Sequence, residues 1–227
     1  MKVCTDACIL GAYAEVENAQ RILDIGAGTG LLSLMTAQRT EARIDAIEID
    51  YDAYQQALIN ISESKFAHKI NISHQSIQLF TPADGLESFD VIVSNPPFYQ
   101  NSLQSPDTQV NKALHAATLS LDELMESATR LLKPNGQFIV LLPPFESKTL
   151  ATLAQKKHLS LSRELSIRHD STKPVFRVIS TYIKAENHNA VHQQAGHEED
   201  ILDIYNTGSN VYSDKFRELL RDYYIIF

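Results

Sequence analysis

Long hydrophobic runs are missing from this sequence. No apolar stretch approaches the roughly 18 to 20 residues that a membrane-spanning helix needs, and the start Met1-Lys2-Val3-Cys4-Thr5-Asp6 lacks a basic-then-apolar export signal. Cysteine is also scarce, because Cys4 and Cys8 are too few for a disulfide framework, and we interpret both as reduced packing residues. These absences argue against a membrane-spanning or disulfide-stapled secreted protein and predict a cytoplasmic one.

An overall excess of positive charge is missing too. A net charge of -8 argues against broad, nonspecific affinity for polyanions, although a specific RNA partner stays possible. The charge is unevenly distributed, because segment 148–184 holds eight basic residues against two acidic ones, a local excess of six. This segment fits a solvated surface as well as a surface that contacts phosphates. Its basic residues are Lys148, Lys156, Lys157, Arg163, Arg168, Lys173, Arg177 and Lys184.

One stretch is rich in histidine, with His188, His192 and His197. A metal site needs further ligands at a recognisable spacing, and the sequence offers none there. We therefore interpret the region 185–200 as a polar loop and predict no metal.

Strand-like and helix-like segments alternate along the chain, which favours a parallel sheet with crossover helices. A capping box at Ser120 and Glu123 begins a helix that should run to about residue 133 and stop at Pro134. The runs 159–167 and 175–183 flank a short polar loop and predict an antiparallel pair at a sheet edge. The other predicted strands are Arg21–Ile25, Arg43–Glu48, 70–73, Phe89–Ser94 and 137–142.

These elements predict an α/β fold with a doubly wound, mostly parallel, Rossmann-like sheet of seven strands and an antiparallel edge hairpin. Ser213 can cap a final helix. Because no second domain is evident, we expect residues 1–227 to form a single domain.

A glycine-rich turn, Asp24-Ile-Gly-Ala-Gly-Thr-Gly30, follows the first strand. Gly26, Gly28 and Gly30 let a ligand approach bare backbone at a helix N-terminus. The dinucleotide fingerprint requires glycine where Leu31 stands, and the Asp24 carboxylate would repel a pyrophosphate. A cationic ligand suits Asp24 better, so the loop favours S-adenosylmethionine over NAD.

Glu48 supports the same interpretation. It ends the second strand 20 residues after Gly28, where a carboxylate can accept hydrogen bonds from both ribose hydroxyls. Ile49 would then flank the adenine.

A second motif, Asp90-Val-Ile-Val-Ser-Asn-Pro-Pro-Phe98, ends the fourth strand. The amine on an aromatic base is a poor nucleophile, and the Asn95 amide oxygen and Pro96 carbonyl can accept its hydrogens. Phe98 can stack on the base. No strong general base is required, because the amine loses its proton readily once methylated. The two motifs together predict methyl transfer to a planar amine.

The chain resembles the bacterial tRNA1(Val) (adenine-N6)-methyltransferase family, which modifies the adenosine immediately 3′ of the anticodon. The resemblance runs nearly end to end and is carried by residues 1–6, 9–12, 24–32, 45–48, 89–99 and 212–227. It implies base binding by Asn95, Pro96 and Phe98, and we assign Asn95 to the donor site as well. It implies donor binding by Asp24, Gly26, Gly28, Gly30 and Glu48.

The chain departs from the family pattern in three places. A further stretch that usually precedes Met-Lys-Val is missing, which suggests a truncated or misassigned start. Cys4 and Cys8 replace usual glycines. Ser76 replaces an acid that contacts the donor adenine amine, and a hydroxyl accepts a hydrogen bond less strongly than a carboxylate does. These changes predict an effect on donor affinity rather than on the fold.

Substrate contacts are expected around the second motif and the predicted hairpin. Pro97 and Tyr99 adjoin the base site, and residues 99–111 form either a mobile lid or an ordinary loop. We predict that Lys173 and Arg177 contact the RNA backbone. An anticodon-loop base suits a small enzyme, because extruding it costs less than opening a duplex.

Three alternative functions stay open. Enzymes that methylate a glutamine of protein release factors share the Asn-Pro-Pro-aromatic turn, as do guanine-N2 rRNA methyltransferases. Both usually carry an extra substrate domain, for which this chain has no room. The third alternative is a non-catalytic RNA-binding relative.

Overall fold

The computed structural model describes residues 4–83, 85–97, 119–186 and 197–226. The strands in these ranges are β1 Arg21–Ile25, β2 Arg43–Glu48, β3 Ile70–His74, β4 Phe89–Ser94, β5 Leu132–Leu142, β6 Leu159–Arg168, β7 Val175–Lys184 and β8 Glu198–Asp203. The helices there are α1 Thr5–Tyr13, α2 Leu31–Arg39, α3 Tyr51–Ser62, α4 Leu121–Leu131, α5 Pro144–Lys156 and α6 Asp214–Leu220. Among the described helices, none has the length and hydrophobicity to cross a membrane.

All eight described strands belong to one sheet, in the order β3-β2-β1-β4-β5-β7-β6-β8. The strands from β3 to β5 pair in parallel, β7 runs antiparallel between β5 and β6, and β8 pairs in parallel with β6. The order reverses at β1, which has β2 on one side and β4 on the other. Parallel sheets bind ligands beyond the carboxyl ends of their strands at such a switch point.

The two faces of the sheet are each covered by helices. Alternate strand residues point to opposite faces, so Ile22 joins the core under α1, α2, α3 and α6, while Leu23 joins the core under α4 and α5. Phe216 anchors α6 in the first core and Phe138 fills the second. Because both faces are buried, the central strands contain consecutive apolar residues, such as Val91 to Val93 in β4 and Phe138 to Leu142 in β5.

The sheet corrects two of the predictions. It has eight strands rather than seven, because Glu198–Asp203 forms β8 where the sequence predicts the end of a polar loop. Consequently the β6–β7 pair is antiparallel as expected but is not at the edge, which β8 occupies. Only Leu202 of β8 is buried, so the strand lacks the hydrophobic pattern that would reveal it. Its pairing with β6 and the Arg168–Asp203 ion pair hold it in place.

The region between α4 and β5 also differs from expectation. Ser120 and Glu123 form the predicted capping box. However, the helix ends at Leu131 and β5 begins at Leu132, so that Pro134 lies within the strand rather than in a turn before it. The predicted cap of the last helix is confirmed, since the Ser213 hydroxyl accepts a hydrogen bond from the Phe216 N–H at 3.1 Å.

Candidate active site

The loops after β1, β2 and β4 meet at the carboxyl ends of the strands. Ile25 is paired with Ile47 on one side and with Ser94 on the other. The Ser94 hydroxyl donates to the Ile25 carbonyl at 2.8 Å, and the Gly26 N–H donates to the Ile47 carbonyl at 2.9 Å. The sheet therefore brings both sequence motifs together at the switch point.

The glycine loop has a backbone that few other residues could adopt. Gly26, Gly28 and Gly30 all have positive φ values, of 72°, 57° and 82°. A Cβ placed on Gly26 would meet no atom within 4 Å, so bare backbone faces open space there. The loop therefore offers a surface on which a ligand can lie against the main chain.

Asp24 is a fully buried carboxylate under this loop. Its Oδ2 accepts hydrogen bonds from the Ser33 N–H at 3.1 Å and the Ser33 hydroxyl at 2.7 Å. Its Oδ1 has no hydrogen-bond partner among the described residues. Burial raises the pKa of Asp24 to about 6 against the opposing hydrogen bonds from Ser33, and the charge of Glu48 adds to the rise. The oxygen without a partner is an acceptor suited to a cationic group.

Glu48 is nearly buried and is held by the backbone. Its Oε2 accepts the Gly28 N–H, and its Oε1 accepts the N–H groups of Ile49 and Asp50, all at 2.8 Å. A carboxylate has about four acceptor positions, so these bonds leave about one free. Binding of both hydroxyls of a diol would require one of these three backbone contacts to lengthen.

His74 joins the end of β3 to the turn after β2. Its Nε2 donates to the Ile49 carbonyl at 3.0 Å, and its ring lies 5.4 Å from the rings of Tyr51 and Tyr54. Ile49 has 56% of its surface exposed, and Ser76 follows β3 in a half-buried position. Thus the predicted adenine-side residues occupy two neighbouring loops that His74 connects.

The second motif, called the acceptor motif below, continues beyond the end of β4 at Ser94. Asn95 is half-buried, Pro96 is buried and Pro97 is exposed. Phe98, Tyr99 and the predicted lid at 99–111 lie outside the described residues. The described part of the motif therefore projects from the strand next to the glycine loop.

The comparisons with known proteins agree with this geometry. Residues 9–157 match the family model described as methyltransferase small domain. The tRNA1(Val) (adenine(37)-N6)-methyltransferase of Dyadobacter fermentans is 45% identical over 229 residues, covering 100% of this chain and 92% of the relative. The chain belongs to this family. The relative of the same name from Bacteroides fragilis is 37% identical over 225 residues, covering 99% of this chain and 91% of its own length.

Solved structures show the same Rossmann-like methyltransferase fold. A predicted O-methyltransferase from Agrobacterium tumefaciens aligns with a TM-score of 0.69 at 17% identity, covering 96% of both chains. TYW2 of Pyrococcus horikoshii, solved in complex with MeSAdo, aligns with a TM-score of 0.58 at 18% identity, covering 82% of this chain and 66% of its own.

Membership in this methyltransferase family implies S-adenosylmethionine as methyl donor, and the site fits it. Bare backbone lies at Gly26, the Asp24 Oδ1 is suited to a cation, and the Glu48 carboxylate is held at the end of β2. Ser33 and His74 were missed from the sequence. Ser33 could have been found as a first-turn residue of α2, where N–H groups point at an anion. His74 offered no signal.

The basic segment 148–184 is largely neutralised in space. Five of its eight basic residues form ion pairs with described residues, and every partner lies outside the segment. Arg177 is one of them, with its Nε 3.0 Å from the Asp6 Oδ2, whereas Lys173 is exposed in the β6–β7 turn. The paired residues are Lys157, Arg163, Arg168, Arg177 and Lys184.

The structure describes both cysteines and one of the three histidines of the histidine-rich stretch. Both cysteines are free, but Cys4 is exposed, so only Cys8 fits the interpretation as a packing residue. The Nε2 of His197 lies 2.9 Å from the Glu199 carboxylate and 3.5 Å from that of Glu164. His188 and His192 lie outside the described residues.

Proposed function

We propose that this chain transfers a methyl group from S-adenosylmethionine to the N6 amine of adenosine 37, immediately 3′ of the anticodon, with valine tRNA as substrate. The observation that carries the proposal is the meeting of the glycine loop with Asn95 and Pro96 at neighbouring strand ends. The similar proteins from Dyadobacter fermentans and Bacteroides fragilis are named for this reaction.

The donor would be held by the loops after β1, β2 and β3. When bound, S-adenosylmethionine supplies an electrophilic methyl group on a sulfonium sulfur. Asp24 would accept hydrogen bonds from the ammonium through Oδ1, and Gly26, Gly28 and Gly30 would allow close approach of the backbone. At the other end of the donor, the residues in contact would be Glu48 at the ribose and Ile49 and Ser76 at the adenine.

The acceptor would be held by the motif after β4. The Asn95 amide oxygen and the Pro96 carbonyl would accept the two amine hydrogens, which directs the nitrogen lone pair toward the methyl group. We propose that Phe98 stacks on the base, with Pro97 and Tyr99 beside it. The methylated nitrogen then releases its extra proton to solvent. Positioning carries most of the rate in this scheme, because no residue needs to act as a strong base.

The rest of the proposal concerns the chain as a whole. We propose that residues 1–227 act as one methyltransferase domain with no metal and no obligate protein partner. A tRNA substrate would place the enzyme in the cytoplasm. Lys173 would contact the RNA backbone directly, whereas Arg177 would first have to exchange its ion pair with Asp6.

The deciding experiment is incubation of the purified protein with S-adenosylmethionine and unmodified total tRNA, followed by nuclease digestion and nucleoside mass spectrometry. We expect N6-methyladenosine, and mapping should locate it at position 37 of valine tRNA. A catalytically impaired Asn95→Ala variant serves as the matched control.

Three other outcomes would change the proposal. Methylated guanosine in a parallel reaction with unmodified rRNA would favour the guanine-N2 alternative. Donor binding without any methylated nucleoside would favour a protein glutamine substrate. RNA binding with neither turnover nor donor binding would identify a non-catalytic relative.

A further inference from the structure

One face of α5 combines an exposed aromatic ring with a row of polar side chains. Phe145, Lys148, Thr149, Thr152 and Lys156 are all exposed. Their spacing of three and four residues places them on one stripe of the helix. Phe145 has 75% of its surface exposed, although large aromatic side chains usually gain stability by burial. This stripe, called the α5 face below, is therefore not explained by packing.

The cations of the α5 face differ from those around them. Neither Lys148 nor Lys156 forms an ion pair with any residue that the structure describes, whereas five other cations of segment 148–184 do. Lys157, the next residue after Lys156, lies 2.8 Å from the Glu126 carboxylate and 3.9 Å from that of Asp122. The α5 face therefore carries positive charge that described acidic residues do not neutralise and that a partner could contact.

The position of the α5 face points toward the candidate active site. The helix begins at Pro144, two residues after β5 ends. β5 is the parallel neighbour of β4, and both strands end at the edge where Asn95 and Pro96 lie. Phe145 therefore lies at the same end of the sheet as Asn95 and Pro96. Lys148 and Lys156 follow along the helix, away from that end, and are separated by about 12 Å at 1.5 Å per residue.

We infer that the α5 face binds the anticodon arm of the tRNA, with Phe145 stacking on an unpaired base and Lys148 and Lys156 contacting backbone phosphates. This inference rests on the proposed function for the identity of the RNA. An exposed ring beside unpaired cations suits single-stranded RNA, where bases stack on aromatic rings and phosphates attract lysine. The one acidic residue of α5, Glu146, is outside the stripe. The charge therefore favours a polyanion.

The test measures binding of a fluorescently labelled anticodon stem-loop of valine tRNA by anisotropy, at several salt concentrations. The variants are Phe145→Ala, Phe145→Tyr and a double Lys148→Ala/Lys156→Ala change, with Lys157→Ala as the matched control because its charge is already paired. We expect Phe145→Ala to weaken binding by about fivefold to 100-fold and Phe145→Tyr to retain it. The double lysine variant should lower the slope of log affinity against log salt by about 1.5 to 2, and Lys157→Ala should leave it unchanged.

Thermal melting and S-adenosylhomocysteine binding establish that each variant is folded. Wild-type affinity and salt slope in the double lysine variant, or equal effects of Lys157→Ala, would overturn the inference. Failure of the proposed function is seen separately, as an absence of N6-methyladenosine from wild-type reactions. The stem-loop binding assay needs no turnover, so it still decides the role of the α5 face in that event.

Discussion

The loop after β1 and the loop after β4 lie side by side but are built differently. On the donor side, Asp24 is fully buried and Glu48 accepts three backbone N–H groups, so the polar groups belong to the folded framework. On the acceptor side, Asn95 is half-buried and Pro97 is exposed, although Pro96 between them is buried. A change on the donor side should therefore alter stability together with affinity. A change on the acceptor side should alter turnover more than donor affinity.

Removal of the Asn95 amide should give the largest separation of the two sides. We expect Asn95→Ala to reduce turnover by about 100-fold to 1000-fold, the usual result of deleting one hydrogen-bonding group that acts in a transition state. Donor affinity should fall much less, by about threefold, because Asn95 is only one of the assigned donor contacts and the Asp24 and Glu48 sites stay intact. Single-turnover kinetics and calorimetry measure the two quantities.

Asn95→Asp is the control for this variant, since it keeps an oxygen acceptor at the same position and should retain more activity than Asn95→Ala. A parallel fall in donor affinity and turnover would mean that Asn95 serves mainly the donor side, and the contrast between the loops would be lost.

The reverse separation is expected at Asp24. Asp24→Asn should weaken donor binding by about 10-fold to 100-fold, because a hydrogen bond to a charged group contributes about 1.5 to 3 kcal/mol. The same variant should raise the melting temperature of the donor-free protein at neutral pH, since it removes an ionised carboxylate from a fully buried position. Calorimetry and thermal melting check the two effects.

Asp90 offers a matched control at the opposite end of the sheet. Partial burial raises its pKa, but Lys133 and the N–H groups of Arg21 and Gln20 outweigh this and hold the pKa below its ordinary value. Asp90→Asn should therefore lower stability and leave donor affinity unchanged. If Asp24→Asn also lowered stability and left donor affinity unchanged, the raised pKa of Asp24 would not reflect a donor site.

Donor affinity should also depend on pH through Asp24. Its pKa in the donor-free protein is raised to about 6, so protonation stabilises the fold at low pH, and this contribution is lost as the pH rises through about 6. A cationic donor favours the ionised form, so binding should release a proton near pH 6. Affinity should fall by about tenfold from pH 7 to pH 5. Calorimetry in buffers of different ionisation enthalpy detects the proton, and Asp24→Asn should abolish both effects.

Most of the donor side could be predicted from the sequence, because it depends on local backbone. Gly26 and Gly28 mark a turn with positive φ, and Glu48 ends a strand whose hydrophobic pattern is clear. The central strands were predictable for the same reason, since burial on both faces gives them short runs of consecutive apolar residues. Local signals therefore sufficed wherever the structure is locally determined.

The remaining features depend on residues distant in sequence. β8 is defined by pairing with β6 across more than 30 residues, and its own side chains are mostly exposed. The basic segment looked strongly positive because its acidic partners, such as Asp6 for Arg177, lie far away in the chain. His74 likewise contacts a carbonyl that only the pairing of β2 with β3 brings near. These ion pairs and contacts could not be predicted from the sequence, because their partners are brought together only by the fold.

Two glycines allow the donor side to be tested without a change in charge. Gly26 and Gly208 both have φ of 72°, and at both a Cβ would meet no atom within 4 Å. Alanine at either position should cost a similar 1 to 2 kcal/mol of stability, roughly, through backbone strain. Only Gly26→Ala should weaken donor binding, by about fivefold or more, because its methyl group would occupy the donor surface. Equal donor affinity in the two variants would show that the donor does not lie against Gly26.

Substitution of His74 should give the smallest effect on donor affinity. It should also distinguish the residues that contact the adenine from those that contact the ammonium group. His74→Ala removes one hydrogen bond to the Ile49 carbonyl and should weaken donor binding by about twofold to tenfold. 5′-Methylthioadenosine retains the adenine and ribose but lacks the ammonium and carboxylate of the full donor. His74→Ala should weaken its binding by the same factor as for S-adenosylhomocysteine, whereas Asp24→Asn should leave it unchanged. If His74→Ala affected only the full donor, the β2–β3 connection would not position the adenine side.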